Sequence, residues 1–92
     1  MQYCQTTLNE HIQKAVYRYR KAHGLSQQAM AEELRVVLRA YSNLERGKNG
    51  FSLLPFVSFL FLMLDEPNGE KQIIEFLRKL KTVVEETEKI SD

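Results

Sequence analysis

Apolar residues recur every three to four positions along nearly the whole of the 92-residue chain, and no strand-like alternation persists. That period confines the chain to packed helices. The places where it breaks divide the sequence into five. Thr7 followed by Glu10 has the form of a capping box, opening a helix that carries Ile12, Val16 and Tyr19 on one side. His23-Gly24 ends that helix, with Gly24 able to take the left-handed conformation that a helix stop favours. Ser26 suits the cap of a second, short helix over 26–34 that buries Met30, Ala31 and Leu34. A third runs from Val37 or Leu38 to Glu45, with Tyr41 and Leu44 inward and Val36 tucked in just before it. Gly47 and Asn49-Gly50 then break the chain. Ser52 caps a fourth helix, where Pro55 is tolerated because first-turn amides lack helical partners. Asp65-Glu66-Pro67-Asn68-Gly69 is a turn, and a fifth helix follows to about Ile90.

The net charge of +1 hides an asymmetry. Residues 1–50 hold eight basic and four acidic side chains, while residues 51–92 hold five basic and eight acidic. Such a split suits a front half that meets a polyanion, although scattered surface charge gives the same count. Cys4 is the sole cysteine, so no disulfide closes within the chain and a reducing compartment fits. Neither His11 nor His23 has an acid partner that would make Cys4 a nucleophile; an inert thiol is expected. The start of the chain lacks the basic-then-apolar pattern of a secretory signal. The apolar run 51–64, interrupted by Ser52, Pro55 and Ser58, is too short to span a bilayer. A cytoplasmic protein is expected, with no membrane partner.

Two short helices joined by a tight turn, 26–34 and 37–45, have the dimensions of a helix-turn-helix, whose second helix must protrude to enter a major groove. The first meets phosphates with its N-terminal amides. Residues 24–48, GLSQQAMAEELRVVLRAYSNLERGK, resemble the phage-repressor and Cro type of helix-turn-helix (the XRE family). The matching features are Gly24-Leu25-Ser26-Gln27, the small Ala31 where two helices approach, Leu34, Val36, Ala40-Tyr41-Ser42 and Leu44-Glu45-Arg46-Gly47-Lys48. With the helices on either side the likeness extends over about residues 8–64. It implies an all-α, five-helix, lambda-repressor-like domain over 8–64, with 65–92 as a C-terminal helical extension of the same domain. The implied origin is bacterial or phage.

The resemblance implies roles position by position. Gln27, with Gln28 beside it, matches the residue that touches a phosphate and braces the recognition helix. Val37, Leu38, Arg39 and Asn43 match the start and the base-facing positions of the recognition helix. Arg39 has the fork for guanine O6 and N7, Asn43 the amide for adenine, and Leu38 the surface for a thymine methyl. Ser42, Arg46 and Lys48 suit backbone phosphates. Arg20 and Glu45 match the family's buried ion pair, a structural role and not a catalytic one. Read without the resemblance, Arg39 and Asn43 are ordinary solvated residues on an exposed helix face, and Leu38 would serve equally to pack on a partner protein. Tyr41 stands where the family has an aliphatic residue, so it is expected in the core with its hydroxyl at the rim. Two positions depart from the pattern. Arg35 replaces the turn glycine, which puts left-handed strain on a residue with a Cβ. Val37 replaces the Ser or Thr cap, a loss of about 0.5–2 kcal/mol.

The back half reads as an assembly device. Phe56 to Leu64 is apolar almost all round the helix, where a surface helix would show a polar stripe. In the last helix Ile73, Leu77, Leu80, Val84 and Thr87 alternate four and three apart, a short coiled-coil-like seam. A homodimer through Phe61, Leu64, Ile73, Leu77, Leu80 and Val84 is expected, with packing of the last helix onto its own domain as the competing arrangement. The expected activity is that of a sequence-specific regulator of transcription, a repressor bound as a homodimer to a palindromic operator in double-stranded DNA. The alternatives are the antitoxin of a toxin–antitoxin pair, whose apolar back half would bind a toxin, a restriction–modification controller, or a helix-turn-helix turned to protein binding. No metal-ligand spacing, phosphate-cradling glycine loop or pocketed carboxylate pair is present, so neither an enzyme, a cofactor nor a metal is expected. Glu85, Glu86, Thr87 and Glu88 read as a solvated acidic tail.

Overall fold

The computed structural model describes residues 2–91, with side chains described for residues 7–86. Five α-helices follow in order: α1 (Gln2–Ala22), α2 (Gln27–Glu33), α3 (Leu38–Glu45), α4 (Leu53–Leu64) and α5 (Gly69–Ser91). There is no strand among the described residues, as the period of the apolar residues requires. Cys4 and Thr87 lie outside the residues whose side chains are described.

Every helix contributes one apolar face to a single core. Ile12 and Val16 of α1, Met30, Ala31 and Leu34 around α2, Tyr41 of α3, Phe59 and Met63 of α4, and Phe76 of α5 form one buried cluster. Phe59 sits at its centre, edge-on to Tyr19 at 5.8 Å and to Phe76 at 5.9 Å between ring centroids. Such edge-to-face pairs add to the burial of the rings themselves. Ala31 is fully buried where α2 meets α3, and its lone methyl is what lets the two short helices approach.

The three helices of the front half end in the same way. Leu25 N–H reaches back to the carbonyl of Arg20, and Gly24 N–H to that of Lys21. The pattern repeats with Val36 to Ala31 and Arg35 to Glu32, and again with Lys48 to Asn43 and Gly47 to Leu44. Each is a Schellman closure, which needs one residue with positive φ. Gly24 and Gly47 supply it at +63° and +77°, and Arg35 supplies it at +62°. Arg35 therefore bears the left-handed conformation anticipated for it. Its Nη1 donates to Oγ of the buried Ser58 at 3.3 Å, tying the α2–α3 turn to α4.

Four local expectations need correction. First, α1 begins at Gln2, so Thr7 lies inside the helix and Thr7–Glu10 is no capping box. The T-x-x-E pattern also occurs inside a helix, so by itself it does not mark a start. Second, Ser52 occupies the cap position of α4 but makes no side-chain cap hydrogen bond, unlike Ser26, whose Oγ accepts from Ala29 N. Third, the face of α5 that packs on α1 and α4 is set by Phe76 and Val83, flanked by Ile73 and Leu80. The expected seam mixed two edges of that face, because a 3–4 alternation fits both registers. Fourth, α2 ends one residue early, with Leu34 as its C-cap; Ser26 is its N-cap as expected, and α3 starts at Leu38 with Val37 just before it.

At the start of α5, Gly69 is buried, and a Cβ there would stand 2.2 Å from the Met63 carbonyl oxygen and 2.6 Å from that of Leu64. The sharp reversal between α4 and α5 thus admits no side chain. His23 secures the same corner, stacked on Tyr19 at 3.9 Å and paired with Glu66.

The Arg35 conformation is open to test by substitution. A β-branched residue at positive φ is strained by about 1–2 kcal/mol, whereas glycine is not. Arg35→Val should therefore melt below Arg35→Gly by that margin, despite its greater apolar surface. Equal melting temperatures would contradict the left-handed turn.

Candidate nucleic-acid interface

The recognition segment begins with its anchoring. Glu45, at the end of α3, accepts from Arg20 Nε at 2.8 Å and Nη2 at 3.0 Å, a two-pronged pairing that uses both carboxylate oxygens. Gln27 Nε2 of α2 donates to Oε1 at 2.8 Å, and the Tyr41 hydroxyl donates to Oε2 at 2.6 Å. Arg20 Nη1 also donates to the Leu25 carbonyl at 3.0 Å, and Gln13 Nε2 to the Glu45 carbonyl at 2.6 Å. The two charged side chains are each 10% exposed. Charges taken out of water are costly unless paired and fully hydrogen-bonded, and here they are both.

The electrostatics follow. Burial opposes ionisation of Glu45, but the hydrogen bonds from Arg20, Tyr41 and Gln27 outweigh it and hold its carboxyl below the usual value. Its hydrogen bond to Glu45 raises the already high value of Arg20. Burial, reinforced by the neighbouring carboxylate, pushes the Tyr41 phenol up, so it stays neutral and donating. Tyr41 is fully buried. Its hydroxyl thus ends on the Glu45 carboxylate and not at the rim, where its place in the sequence pattern puts it. Sequence reasoning missed this contact and that of Gln13, although Tyr41 lies four residues before Glu45, one helical turn away.

With Tyr41 and Leu44 turned inward, the opposite face of α3 is left to solvent. Leu38 is 43% exposed, Arg39 and Arg46 are exposed, and Ser42 and Asn43 are half-buried on the same arc. Val37, the uncapped start of the helix, is 72% exposed. Arg46 Nη2 donates to Asn43 Oδ1 at 3.2 Å. Lys48 stands exposed just beyond the helix, and Arg39 has no carboxylate partner among the described residues. At the start of α2, Gln27 is half-buried and held by Glu45, while the exposed Gln28 donates to Glu32 Oε1 at 3.1 Å. Leu38, Arg39, Ser42, Asn43 and Arg46 thus share one arc of α3, with the exposed Val37 just before the helix and the exposed Lys48 just after it. Gln27 is set behind them as a brace.

The residues named for assembly separate into two groups. Ile73 and Leu80 pack against the chain's own core, and Leu77, Leu80 and Val84 line an open groove with Leu8, Ile12, Phe51, Leu53 and Phe56. Phe61 and Leu64, each 51% exposed, lie on the outer face of α4 with Leu53 and Leu54. No helix among the described residues is long and apolar enough to cross a membrane, and no cluster of His, Cys, Asp or Glu among them could hold a metal ion.

Acid should weaken this anchor once Glu45 is protonated. A carboxylate whose value is lowered on folding contributes stability above the ordinary glutamate value of 4.5 and loses it as pH falls through the lowered value. Tyr41→Phe removes one donor to the charged carboxylate and should cost about 1.5–3 kcal/mol at neutral pH. The loss should shrink in melts carried down through that lowered value. A loss independent of pH would contradict the coupling of Tyr41 to an ionised Glu45.

No curated protein and no solved structure matches this chain. A family model does, described as a helix-turn-helix, and it covers residues 16–54, from the middle of α1 to the start of α4. That span holds the Arg20–Glu45 anchor, both short helices and the whole exposed arc of α3. Residues 16–54 are thus similar to the helix-turn-helix family of phage-repressor and Cro type, a likeness that supports a DNA-binding regulator of transcription.

Proposed function

We propose that the protein is a repressor that reads a palindromic operator in double-stranded DNA as a homodimer. The observation that carries the reading is the solvent face of α3. Leu38, Arg39 and Asn43 share it with Ser42 and Arg46, on a helix whose other face is buried and whose end is locked by Arg20. A rigid helix with such a face fits the major groove. Arg39 is free to take guanine O6 and N7, Asn43 an adenine edge, and Leu38 a thymine methyl. Ser42, Arg46, Lys48, Gln27 and Gln28 then meet phosphates, which set register without reading sequence.

Support for the homodimer comes from α4. Between Leu53 and Leu64 it has no charged side chain, yet Leu53, Leu54, Phe61 and Leu64 are all more than half exposed. An apolar strip of this kind marks an interaction surface. A second copy in isologous contact would cover it and set two recognition helices on half-sites about one helical turn apart. Leu77, at 42% exposure on α5, lines the neighbouring groove that Leu53 also borders, whereas Ile73 and Leu80 serve the chain's own core and support the domain more than the dimer. The same strip favours a second reading, an antitoxin that offers α4 to its toxin. In the proposed dimer Phe61→Lys should sediment as a monomer, and the wild type as a dimer without any second protein. A monomeric wild type would favour the toxin reading.

DNA binding itself is tested by gel shift across a salt series. Lys48→Ala should weaken binding to every sequence alike and reduce the log–log salt slope by about 1. Arg39→Ala should cost about 1–3 kcal/mol at one base position and relax preference there. Absence of binding by the wild type at low salt overturns the reading.

A further inference from the structure

One stripe of α1 lies beside the recognition helix but outside its solvent face. Lys14, Arg18 and Lys21 follow at helical spacing with Tyr17 between them, and all four are exposed. The Tyr17 ring carries two cations, with the Arg20 guanidinium carbon 5.4 Å and the Lys21 ammonium 5.5 Å from its centroid. Proximity of this order holds a cation against the ring. Between this stripe and the end of α3 opens a cleft of about 310 Å³, lined by Gln13, Lys14, Tyr17, Arg18, Glu45 and Arg46.

The charge of that cleft is unbalanced. Glu45 supplies its carboxylate, but both oxygens are already taken by Arg20, Gln27 and Tyr41. Lys14 and Arg18 pair with no carboxylate among the described residues. Glu10, one turn before Lys14 on the same stripe, pairs with neither. Arg46, on the far wall, is fixed by Asn43. Three cations thus converge on one concave site that also offers a phenol, with no free carboxylate among its lining residues to neutralise them. Ammonium, guanidinium and phenol are all donors, and together they match the oxygens of a phosphate.

We propose that Lys14, Tyr17, Arg18 and Arg46 bind a phosphate of the DNA backbone beside the segment that α3 reads, so that α1 is part of the DNA-binding surface. The inference rests on the DNA-binding reading and adds to it. The lock that positions α3 also positions this clamp, because Arg20 both holds Glu45 and lies on Tyr17. The clamp carries no base information. It adds affinity and fixes the lean of the domain on the duplex.

The test compares the full chain with a Lys14→Ala/Arg18→Ala double variant and with a control, Lys71→Ala/Arg78→Ala, that removes the same charge from α5. Each is titrated with duplex DNA of arbitrary sequence across a salt series, and each is melted. The α1 variant should melt like the wild type and bind all duplexes more weakly by a common factor. Its log–log salt slope should flatten by about 0.9 for each phosphate it no longer neutralises. The α5 control should keep the wild-type slope. If the α1 variant keeps wild-type affinity and slope, or if the control weakens as much, the clamp does not exist. A wild type that binds no duplex at low salt overturns the DNA-binding reading as well, which separates the two failures.

Discussion

The Glu45 carboxylate receives hydrogen bonds from Arg20 of α1, Gln27 of α2 and Tyr41 of its own helix. Three helices thereby meet at one nearly dehydrated charge, and the orientation of α3 depends on it. A short helix of eight residues has little intrinsic stability and would not hold a fixed angle by itself. Packing of Tyr41 and Leu44 decides which face turns inward. The carboxylate network decides how the end of the helix is held against α1 and α2. Because each donor has a partner, the dehydration of the ion pair is offset; with any one of them missing, a buried charge would be left short of a hydrogen bond.

The same constraint explains where the molecule tolerates local cost. Arg35 sits at positive φ in a closure that elsewhere uses glycine, and Val37 starts α3 without a capping side chain. Both lie between two well-anchored helices, so tertiary packing can hold a turn that local preference disfavours. The Arg35 side chain recovers part of this cost through Ser58, which also links the turn to α4. The outward result is a recognition helix whose first residues, Val37, Leu38 and Arg39, are unusually open to solvent. They form the least conventional part of an otherwise well-matched motif.

Much of this is legible in the sequence, for reasons that can be named. Gly24, Ala31 and Gly47 each have a conformational or steric role that few other residue types fill, and Ser26 is one of the few types that cap a helix start well, so together they fix the ends and the spacing of the short helices. The Arg20–Glu45 pairing comes from resemblance, not from spacing, because 25 residues separate the two along the chain. The start of α1 is hidden because Thr7–Glu10 satisfies the capping pattern without standing at a helix end. The register of α5 is ambiguous since Ile73 and Leu80 belong to both possible seams, and only packing on Phe59 picks Phe76 over Leu77 as the inward residue. The basic cleft on α1 is visible in the sequence as charge but not as a site. Lys14 and Arg18 acquire meaning only when the end of α3 brings Arg46 opposite them.

Selection of bound duplexes from a random pool, with the wild-type protein at moderate salt, tests the central claim most directly. The proposed pairing of two Glu45-locked helix-turn-helices through α4 predicts enrichment of two inverted half-sites, centred about 10–10.5 base pairs apart. Recovery of an unenriched pool, at a salt concentration where the protein still retains DNA, would contradict it.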